Sequence, residues 1–441
     1  MAQEKVTARA LGSEGQGIAD LNSGKVVFVE GLLPGETALV DIYEEKSKIS
    51  YASIIKRDND SPSRVEPLCP NFGKCGGCSL MHMDRDLQLE FKSSKVRDVL
   101  IRIGRFDESL IDGVFEKICD GKDPLHYRNH MQYRISGQKI GFKARKSNEF
   151  VPCDDCLLEY EQIAAIRRSI EDVFRDHPTD MFSALTIRGS RRTNEFLAEF
   201  VCESGRPHEL LIRDAQKYID SADLMNKLDF VKGILLRISP DKASQRQRSG
   251  KRVVLQGVDH YHEILNGKKF RVKAGAFFQV NTEQAERLYD QVKTHARGSR
   301  ILYDLFCGTG SIGICCADED TRLFGIEVSK EAVDSAKVNA ELNNMRNAEF
   351  VAKPAERFDF DDPPVPDAII VDPPRKGMDI ALINKLKKIA PQKIIYVSCD
   401  PGTLARDLKY LCSDYEIRSV RPFELFSWSE HVETVVQLSR K

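Results

Sequence analysis

The chain has 441 residues, which exceeds one ordinary domain and predicts roughly two to four. Its 66 Lys and Arg residues against 67 Asp and Glu residues give a net charge of −1, so overall charge gives no reason to expect nucleic-acid binding, and any such role must rest on local patches. The sequence has no run of about 18 apolar residues and no signal-peptide pattern, so we expect a soluble cytoplasmic protein without membrane contact. Twelve cysteines in such a chain argue against a disulfide scaffold and for metal ligands, catalytic thiols or buried side chains.

The N-terminal residues alternate short apolar strands with Gly and Pro turns. Ala38, Val40 and Ile42 recur with a period of two, and this pattern predicts a five-stranded, OB-like barrel over residues 1–60. Such barrels often bind nucleic acid. The segment carries 7 Lys and Arg residues against 10 Asp and Glu residues, however, so a purely structural role stays open.

A cysteine cluster with the sequence CPNFGKCGGC follows the barrel and supplies Cys69, Cys75 and Cys78. Three cysteines need a fourth ligand for a closed metal site, and Cys153 and Cys156 are the candidates. Four thiolates suit zinc and an iron–sulfur cluster alike, so the number of ligands leaves both open.

Residues 84–104 carry apolar side chains at helical spacing and predict a helix, whereas residues 115–270 mix strands and helices in an α+β region. Basic side chains recur in this region, and they indicate either a solvated surface or contact with RNA. They are Arg128, Arg134, Lys143, Arg145, Lys146, Arg188, Arg191, Arg192, Arg246, Arg248, Lys251 and Arg252.

From about residue 284 the chain alternates apolar strands with amphipathic helices, which predicts a doubly wound, Rossmann-like parallel sheet of the α/β class. The last stretch, from YEIRSV to VVQLSRK, holds two strand-like runs without a helix between them. It predicts an antiparallel hairpin that closes one sheet edge. In such a sheet, ligands bind beyond the carboxyl ends of the strands.

The segment DLFCGTGSIG places three glycines at G-x-G-x-x-G spacing between a predicted strand and a predicted helix. Glu327 follows 17 residues after Gly310, where its carboxylate can hold ribose hydroxyls. This pattern alone fits a nicotinamide or flavin nucleotide as well as S-adenosylmethionine. Three further features favour the methyl donor. Asp304 precedes the glycines, where it can meet an ammonium group, the domain ends in a predicted hairpin, and a DPPR segment begins at Asp372.

Two residues near the C-terminal strands are candidates for covalent chemistry. Cys399 follows an apolar strand and precedes a helix predicted to begin near Pro401, a setting that favours the nucleophilic thiolate. Glu433 lies in the last strand, where a carboxylate can remove a proton after the nucleophile has added. A buried, unreactive cysteine and a surface charge are the alternatives.

These motifs resemble the RNA uracil-5-methyltransferase family that uses S-adenosylmethionine, in the form with an N-terminal TRAM barrel and an iron–sulfur cluster. The resemblance covers nearly the whole chain and rests on CPNFGKCGGC, FFQVN, LYDLFCGTGSIG, VDPPRKGM, IIYVSCDPGTLARDL and HVETV, in that order. It implies a TRAM barrel over residues 1–60, a central domain over 61–83 and 115–270, and a class I methyltransferase domain over 84–114 and 271–441.

The resemblance also implies roles for individual residues. The nucleophile falls on Cys399 and the catalytic base on Glu433. The implied ligands of a [4Fe–4S] cluster are Cys69, Cys75, Cys78 and Cys156, where Cys156 is preferred to Cys153 because Leu157 and Leu158 follow it as in the family. The implied contacts of S-adenosylmethionine are Gln279, Phe306, Ser311, Glu327 and Asp372.

The function that the resemblance implies is formation of 5-methyluridine in structured RNA by a monomer, with 23S rRNA as the first expected target. A tRNA 5-methyluridine methyltransferase and a non-catalytic RNA-binding iron–sulfur protein are the alternatives, and cytosine-5 or amino-directed methylation are related chemistries. The chain departs from the family at two places: Asp400 follows the nucleophile where asparagine is usual, and Ser427 and Ser429 interrupt a usual phenylalanine–proline pattern.

Overall fold

The computed structural model describes residues 2–239, 250–360 and 364–441. Within these residues the strands form one six-stranded sheet, two seven-stranded sheets and a two-stranded sheet. The helices are α1 (Arg85–Arg102), α2 (Glu108–Val114), α3 (Glu161–Asp176), α4 (His208–Ser221), α5 (Leu224–Lys227), α6 (Thr282–Ala296), α7 (Ser311–Cys316), α8 (Lys330–Leu342), α9 (Ile380–Ile389) and α10 (Pro401–Leu411), with a short 3-10 helix at Ala355–Arg357.

The N-terminal sheet is built from β1 (Gln3–Thr7), β2 (Ala10–Leu11), β3 (Gly17–Asp20), β4 (Val26–Val29), β5 (Thr37–Glu45) and β6 (Ile49–Arg57). Their spatial order is β1-β5-β6-β4-β3-β2. The sheet has six strands where five are predicted, because the N-terminal stretch is divided: β1 pairs with β5, whereas β2 pairs with β3. The chain changes partner at Ala8 and Arg9, whose amides donate to Glu36 and Ile18 respectively.

The central sheet has the order β13-β12-β11-β10-β7-β8-β9, and β14 and β15 form a separate hairpin. The strands are β7 (His130–Ser136), β8 (Lys139–Lys143), β9 (Phe150–Pro152), β10 (Ala184–Ser190), β11 (Glu195–Glu203), β12 (Val231–Ser239), β13 (Lys251–Gly257), β14 (His260–Leu265) and β15 (Lys268–Lys273). Helices α3 and α4 bury apolar side chains such as Ile166 and Leu211 in the same core as these strands.

The C-terminal sheet consists of β16 (Ile301–Leu305), β17 (Arg322–Glu327), β18 (Ala348–Ala352), β19 (Ala368–Val371), β20 (Lys393–Ser398), β21 (Tyr415–Phe423) and β22 (Glu433–Arg440). Its order is β18-β17-β16-β19-β20-β22-β21. The first five strands are parallel, and β22 pairs antiparallel with both β20 and β21. The predicted doubly wound α/β sheet and its closing hairpin are therefore confirmed.

Each face of the C-terminal sheet carries its own apolar core, since successive strand residues point to opposite faces. Leu302 belongs to one core and Tyr303 to the other. Helix α1 precedes the central sheet in the chain, yet its Val96 and Leu100 lie in the same core as Tyr303. Within the described residues, none of the helices combines the length and the apolar character that a membrane span requires.

Candidate active site

The order of the C-terminal sheet reverses between β16 and β19, and open α/β sheets bind their ligands at such a point. The chain leaves β16 through Phe306, whose φ is 65°, and enters α7 at Gly310, whose φ is 80°. The left-handed conformation at Gly310 suits glycine, which has no Cβ to clash. The turn lets the amides of Phe306 and Cys307 donate to the carbonyl of Ile326 at 2.8 and 3.2 Å, which fixes the loop against β17.

Asp304 lies fully buried near the end of β16. Its Oδ2 accepts a hydrogen bond from the Gly313 amide at 2.9 Å, while its Oδ1 is buried without a hydrogen-bond partner among the described residues. Burial, with the charges of Asp372 and Glu327, raises the pKa of Asp304 to about 7. A buried carboxylate oxygen that lacks a partner suits a cationic ligand that donates hydrogen bonds.

Glu327 ends β17 and closes the glycine loop. Its Oε2 accepts from the Gly308 amide at 3.3 Å, and its Oε1 accepts from the Ser329 amide at 2.9 Å. Each carboxylate oxygen retains a second lone pair, so Glu327 can still accept hydrogen bonds from a ligand.

Ser311 begins α7, and its Oγ lies 3.0 Å from the hydroxyl oxygen of Tyr289 in α6. Tyr289 is buried, and burial raises the pKa of its phenol, with the charges of Asp372 and Asp304 adding to the shift. Tyr289 therefore lies close to the carboxylates at the strand ends. Nothing in the sequence marks it as a site residue, because its helical spacing is equally typical of a core side chain.

Phe306 and Gln279 are the two other predicted donor contacts. Phe306 is half-buried and packs against the core that contains Tyr303. Gln279 precedes α6, and its backbone carbonyl accepts a hydrogen bond from the Asn129 side chain at 2.8 Å. Within the described ranges, no hydrogen bond of the Gln279 side chain joins it to the other predicted donor contacts.

Cys399 and Glu433 meet at the carboxyl end of β20. Ser398 of β20 pairs with Thr434 of β22 in antiparallel register, so Cys399 and Glu433 both adjoin this pair, and the charge of Glu433 raises the pKa of Cys399. Asp372 follows β19, the neighbour of β20 on its other side. The structure thus brings the predicted nucleophile, the predicted base and one predicted donor contact to one place.

Carboxylates dominate the electrostatics there. Burial, followed by the charges of Glu433 and Asp372, raises the pKa of Cys399 to about 11. Burial and the charge of Asp372 raise the pKa of Glu433 to about 8, and burial raises the pKa of Asp372 to about 7. Arg375 is the cation that lowers the pKa of both Cys399 and Glu433.

Burial and these carboxylates thus oppose the thiolate that the start of α10 is expected to favour. Asp400 caps that helix, and its Oδ1 accepts the Thr403 amide at 2.8 Å. A helix-terminal amide that would otherwise favour a thiolate is thus bound to a carboxylate.

A second cavity, of about 300 Å³, lies between the cysteine motif and the central sheet. It is lined by the four predicted metal ligands Cys69, Cys75, Cys78 and Cys156, and also by Cys153. Burial and the three other predicted ligands raise the pKa of Cys78 to about 12, so these thiols lie near one another. Within the described parts of the chain, no three His, Cys, Asp or Glu side chains are drawn together to metal-binding distances.

Different groups shift the pKa of the two candidates for the fourth ligand. Burial raises the pKa of Cys156, and the backbone amides of Leu158 and Glu159 lower it. Burial raises the pKa of Cys153, and the charge of Arg167 lowers it. Both sulfurs thus have a neighbouring group that favours the thiolate.

Three of the predicted basic side chains are bound within the protein. Arg188 is buried and donates to two backbone carbonyls, at 2.9 and 2.7 Å. Arg191 and Arg192 pair with glutamates of α6, at 2.7 and 2.5 Å. These three charges are therefore compensated by protein groups. Arg246 and Arg248 lie outside the residues that the structure describes.

Comparison with known proteins agrees with this geometry. The family model described as tRNA (Uracil-5-)-methyltransferase matches residues 245–361 and 365–441, and the TRAM domain model matches residues 5–55. An uncharacterized RNA methyltransferase of Halalkalibacterium halodurans is 32% identical over 99% of this chain and 97% of its own length. The chain belongs to the RNA uracil-5-methyltransferase family. A similar protein of Bacillus cereus is also 32% identical, over 97% of this chain and 94% of its own.

A solved structure shows the same fold over the whole length of this methyltransferase. The Pyrococcus abyssi tRNA (uracil-54, C5)-methyltransferase in complex with S-adenosyl-L-homocysteine is 26% identical, with a TM-score of 0.78, and the match covers 99% of this chain and 100% of the other. This protein is therefore an S-adenosylmethionine-dependent RNA (uracil-5-)-methyltransferase with an N-terminal TRAM domain. The unpartnered Oδ1 of Asp304 and the raised pKa of Asp372 fit a donor that carries an ammonium and a sulfonium charge.

Proposed function

We propose that this methyltransferase forms 5-methyluridine in structured RNA through a covalent bond between Cys399 and C6 of the uracil. The observation that carries the proposal is the pairing of Cys399 with Glu433 beside Asp372 at the end of β20. A methyltransferase that acts on an amino group needs no thiol, so this pair favours transfer to carbon.

The proposed chemistry uses the two side chains in sequence. The Cys399 thiolate adds to C6, and the electron pair of the C5–C6 double bond makes C5 nucleophilic. When bound, the donor would supply an electrophilic methyl group to C5, and its sulfur would leave as a neutral thioether with the electron pair of the broken S–CH3 bond. The Glu433 carboxylate then takes the C5 proton, the C5–C6 double bond re-forms, and the C6–S bond breaks to release the Cys399 thiolate.

The donor contacts in this proposal are Gln279, Phe306, Ser311, Glu327 and Asp372. Asp304 and Asp372 offer negative charge at the switch point, and Glu327 offers acceptors for ribose hydroxyls. Because C6 is shielded in a stacked helix, the uridine must leave its stack to reach Cys399, so a loop or an unfolded strand is the expected substrate.

We also propose that Cys69, Cys75, Cys78 and Cys156 hold a [4Fe–4S] cluster. The four thiols line one cavity of about 300 Å³, and Cys69, Cys75 and Cys156 all raise the pKa of Cys78. Four thiolates suit zinc as well as a cluster, and the resemblance to the iron–sulfur form of the family favours the cluster. Backbone amides that donate to Cys75 and Cys156 fit sulfurs that carry cluster charge.

The same proposal divides the chain into residues 1–60, residues 61–83 with 115–270, and residues 84–114 with 271–441. The packing of α1 into the core of the C-terminal sheet supports the assignment of that helix to the third unit. The TRAM strands, the unit that carries the proposed cluster and the basic side chains of that unit would then hold the RNA that flanks the target. The protein would act as a monomer in the cytoplasm.

We propose 23S rRNA as the target, and tRNA is the second candidate because the similar Pyrococcus abyssi enzyme is a tRNA methyltransferase. The test incubates the purified protein and methyl-labelled donor with ribosomal RNA or with tRNA, each taken from a strain that lacks the gene. The RNA is then digested and its labelled nucleosides are identified. Labelled 5-methyluridine in 23S rRNA supports the full proposal.

Each of the other possible outcomes would correct a different part of the proposal. Label only in tRNA would replace the target and keep the chemistry. Labelled 5-methylcytidine or an amino-methylated nucleoside would overturn the assignment of uracil C5. A Cys399→Ala variant that retained activity would remove the covalent step.

A further inference from the structure

The segment of residues 424–432 joins β21 to β22 and leads directly into Glu433; it is called the base loop here. At its centre is Trp428, the one tryptophan of the chain, which is 6% exposed and has a φ of 65°. We propose that Trp428 is a positioning residue for Glu433 and ties the proposed base to the cysteine cavity. This inference rests on the proposed function, since it takes Glu433 as the base.

One side of the base loop is bound to the chain that follows Cys78. The amides of Ser79 and Leu80 both donate to the Trp428 carbonyl, at 2.8 and 3.0 Å. The Ser79 hydroxyl donates to a carboxylate oxygen of Glu430 at 2.6 Å. Three hydrogen bonds thus connect Ser79 and Leu80, which follow the proposed cluster ligand Cys78, to the middle of the base loop.

The indole itself packs into the wall of the cysteine cavity. Trp428 shares an apolar cluster with Cys78, Cys156 and Tyr127. Its Nε1–H donates to the Pro124 carbonyl at 2.9 Å, and the Tyr127 hydroxyl donates to the carbonyl of Ser427, the residue before Trp428, at 3.2 Å. The backbone at Trp428 is left-handed, and a non-glycine residue keeps such a backbone only where its surroundings hold it.

The start of the base loop has anchors that do not involve the indole. Glu424 is fully buried, and the Lys92 ammonium donates to its Oε1 at 2.7 Å, while Arg85 pairs with both oxygens and also lies over the Trp428 ring, 5.6 Å from its centroid. Lys92 also donates to the Phe426 carbonyl at 2.9 Å, and Asn281 donates to the Leu425 carbonyl at 3.0 Å. Loss of the indole therefore leaves the Lys92 and Asn281 bonds in place and removes packing from the later part of the loop, which leads into Glu433.

This arrangement predicts which reaction step depends on Trp428. The proposed donor contacts lie at the ends of β16, β17 and β19, whereas Trp428 packs against the cysteine cavity. A displaced Glu433 delays removal of the C5 proton but leaves addition of Cys399 and methyl transfer in place. The C6–S bond then persists, and protein joined to methylated RNA accumulates.

The test compares the wild-type holoprotein with the Trp428→Ala, Trp428→Phe and Glu433→Gln variants, and with Tyr410→Ala as an exposed aromatic control on α10. Each is incubated with saturating donor and an RNA that the wild type methylates. The readouts are kcat, KM for the donor, and the fraction of protein that carries RNA on a denaturing gel. For Trp428→Ala we expect kcat about 10²-fold lower, an unchanged KM and adduct approaching the level of Glu433→Gln.

Trp428→Phe should recover most of the turnover, since it restores the aromatic packing but not the bond to Pro124. A Trp428→Ala variant with wild-type turnover, or one that loses turnover without accumulating adduct, would overturn the inference. If Trp428→Ala does not fold, Ser79→Ala decides: it cuts only the bond to Glu430, so partial accumulation of adduct is expected and its absence overturns the inference. Failure of Glu433→Gln to trap RNA would instead count against the proposed function.

Discussion

The surroundings of Cys399 raise the pKa of its thiol rather than lower it. Two neighbouring carboxylates, Glu433 and Asp372, raise its pKa, and Asp400 takes a helix-terminal amide for itself. The proposed reaction needs Cys399 and Glu433 deprotonated in turn, and Arg375 is the cation that lowers the pKa of both against burial and the neighbouring carboxylates.

Replacement of Arg375 by glutamine should shift the pH dependence of the reaction. Arg375 lowers the pKa of Cys399 and of Glu433, so its loss raises both. The reactive forms are the deprotonated ones, and the acid limb of the profile of kcat/KM against pH therefore moves to higher pH. A shift of about one pH unit lowers kcat/KM at neutral pH about tenfold.

Lys376→Gln is the matched control for that measurement. It removes the neighbouring positive charge, which is not among the groups that shift the pKa of Cys399 or Glu433, and should leave the acid limb in place. Equal shifts in the two variants would mean that Arg375 acts only through the general charge of the surface.

Individual site residues differ in how far the sequence predicts them. Cys399 and Glu433 are found by resemblance to the family, and the register of β20 and β22 brings them together. Tyr289 and Trp428 are not found, because the contacts that distinguish them are made with parts of the chain far away in sequence. Periodicity reports only that a side chain is buried, not what it faces.

At the scale of elements, the loop from β16 to α7 is the part that local sequence predicts best. Strand, glycine spacing and helix all appear in order, since positive φ at Gly310 and close packing at Gly313 leave few other residue types possible. The N-terminal sheet is predicted less well. The exchange of strand partner at Ala8 depends on pairing with Glu36, which no local pattern encodes.

Gly313→Ala should weaken both folding and donor binding. A Cβ at this position lies 2.8 Å from Oδ2 of Asp304 and 2.9 Å from Cδ1 of Leu323. Overpacking of this kind costs about 1–3 kcal/mol, which outweighs the gain of about 1 kcal/mol in helix propensity. We expect a lower free energy of unfolding in a denaturant titration and a higher Kd for the donor by calorimetry.

Gly113→Ala supplies the control, because it lies in α2 with no atom within 4 Å of the added Cβ. It should match or exceed the wild type in stability and bind the donor normally. Stability and donor affinity of Gly313→Ala at the wild-type level would show that the loop and Asp304 relax without loss.

At the scale of the whole molecule, three distant parts of the chain converge on the cysteine cavity. The motif at residues 69–78, the segment around Cys156 and the base loop share one apolar cluster. Ser79 and Glu430, which are hydrogen-bonded, are 351 residues apart. The chain has nearly equal numbers of acidic and basic residues, and some of its arginines, such as Arg192, pair with carboxylates of the protein itself.

Cys78→Ser should remove most of the iron, and the visible absorption that iron causes, from anaerobically purified protein, because the proposed cluster would lose one of its four thiolates. Iron and zinc content are measured on the same samples. Cys153→Ser, which changes a thiol in the same cavity, should keep its iron. Zinc in the wild type, or equal iron in both variants, would contradict the cluster and its ligand set.

The chemistry itself is tested most directly by locating the covalent bond. The Glu433→Gln variant is incubated with donor and RNA, digested with protease and nuclease, and its peptides are analysed by mass spectrometry. The proposed mechanism predicts a methylated uridine nucleotide on the peptide that contains Cys399, and no adduct when Cys399 is replaced by alanine. An adduct on another cysteine, or one that persists without Cys399, would contradict it.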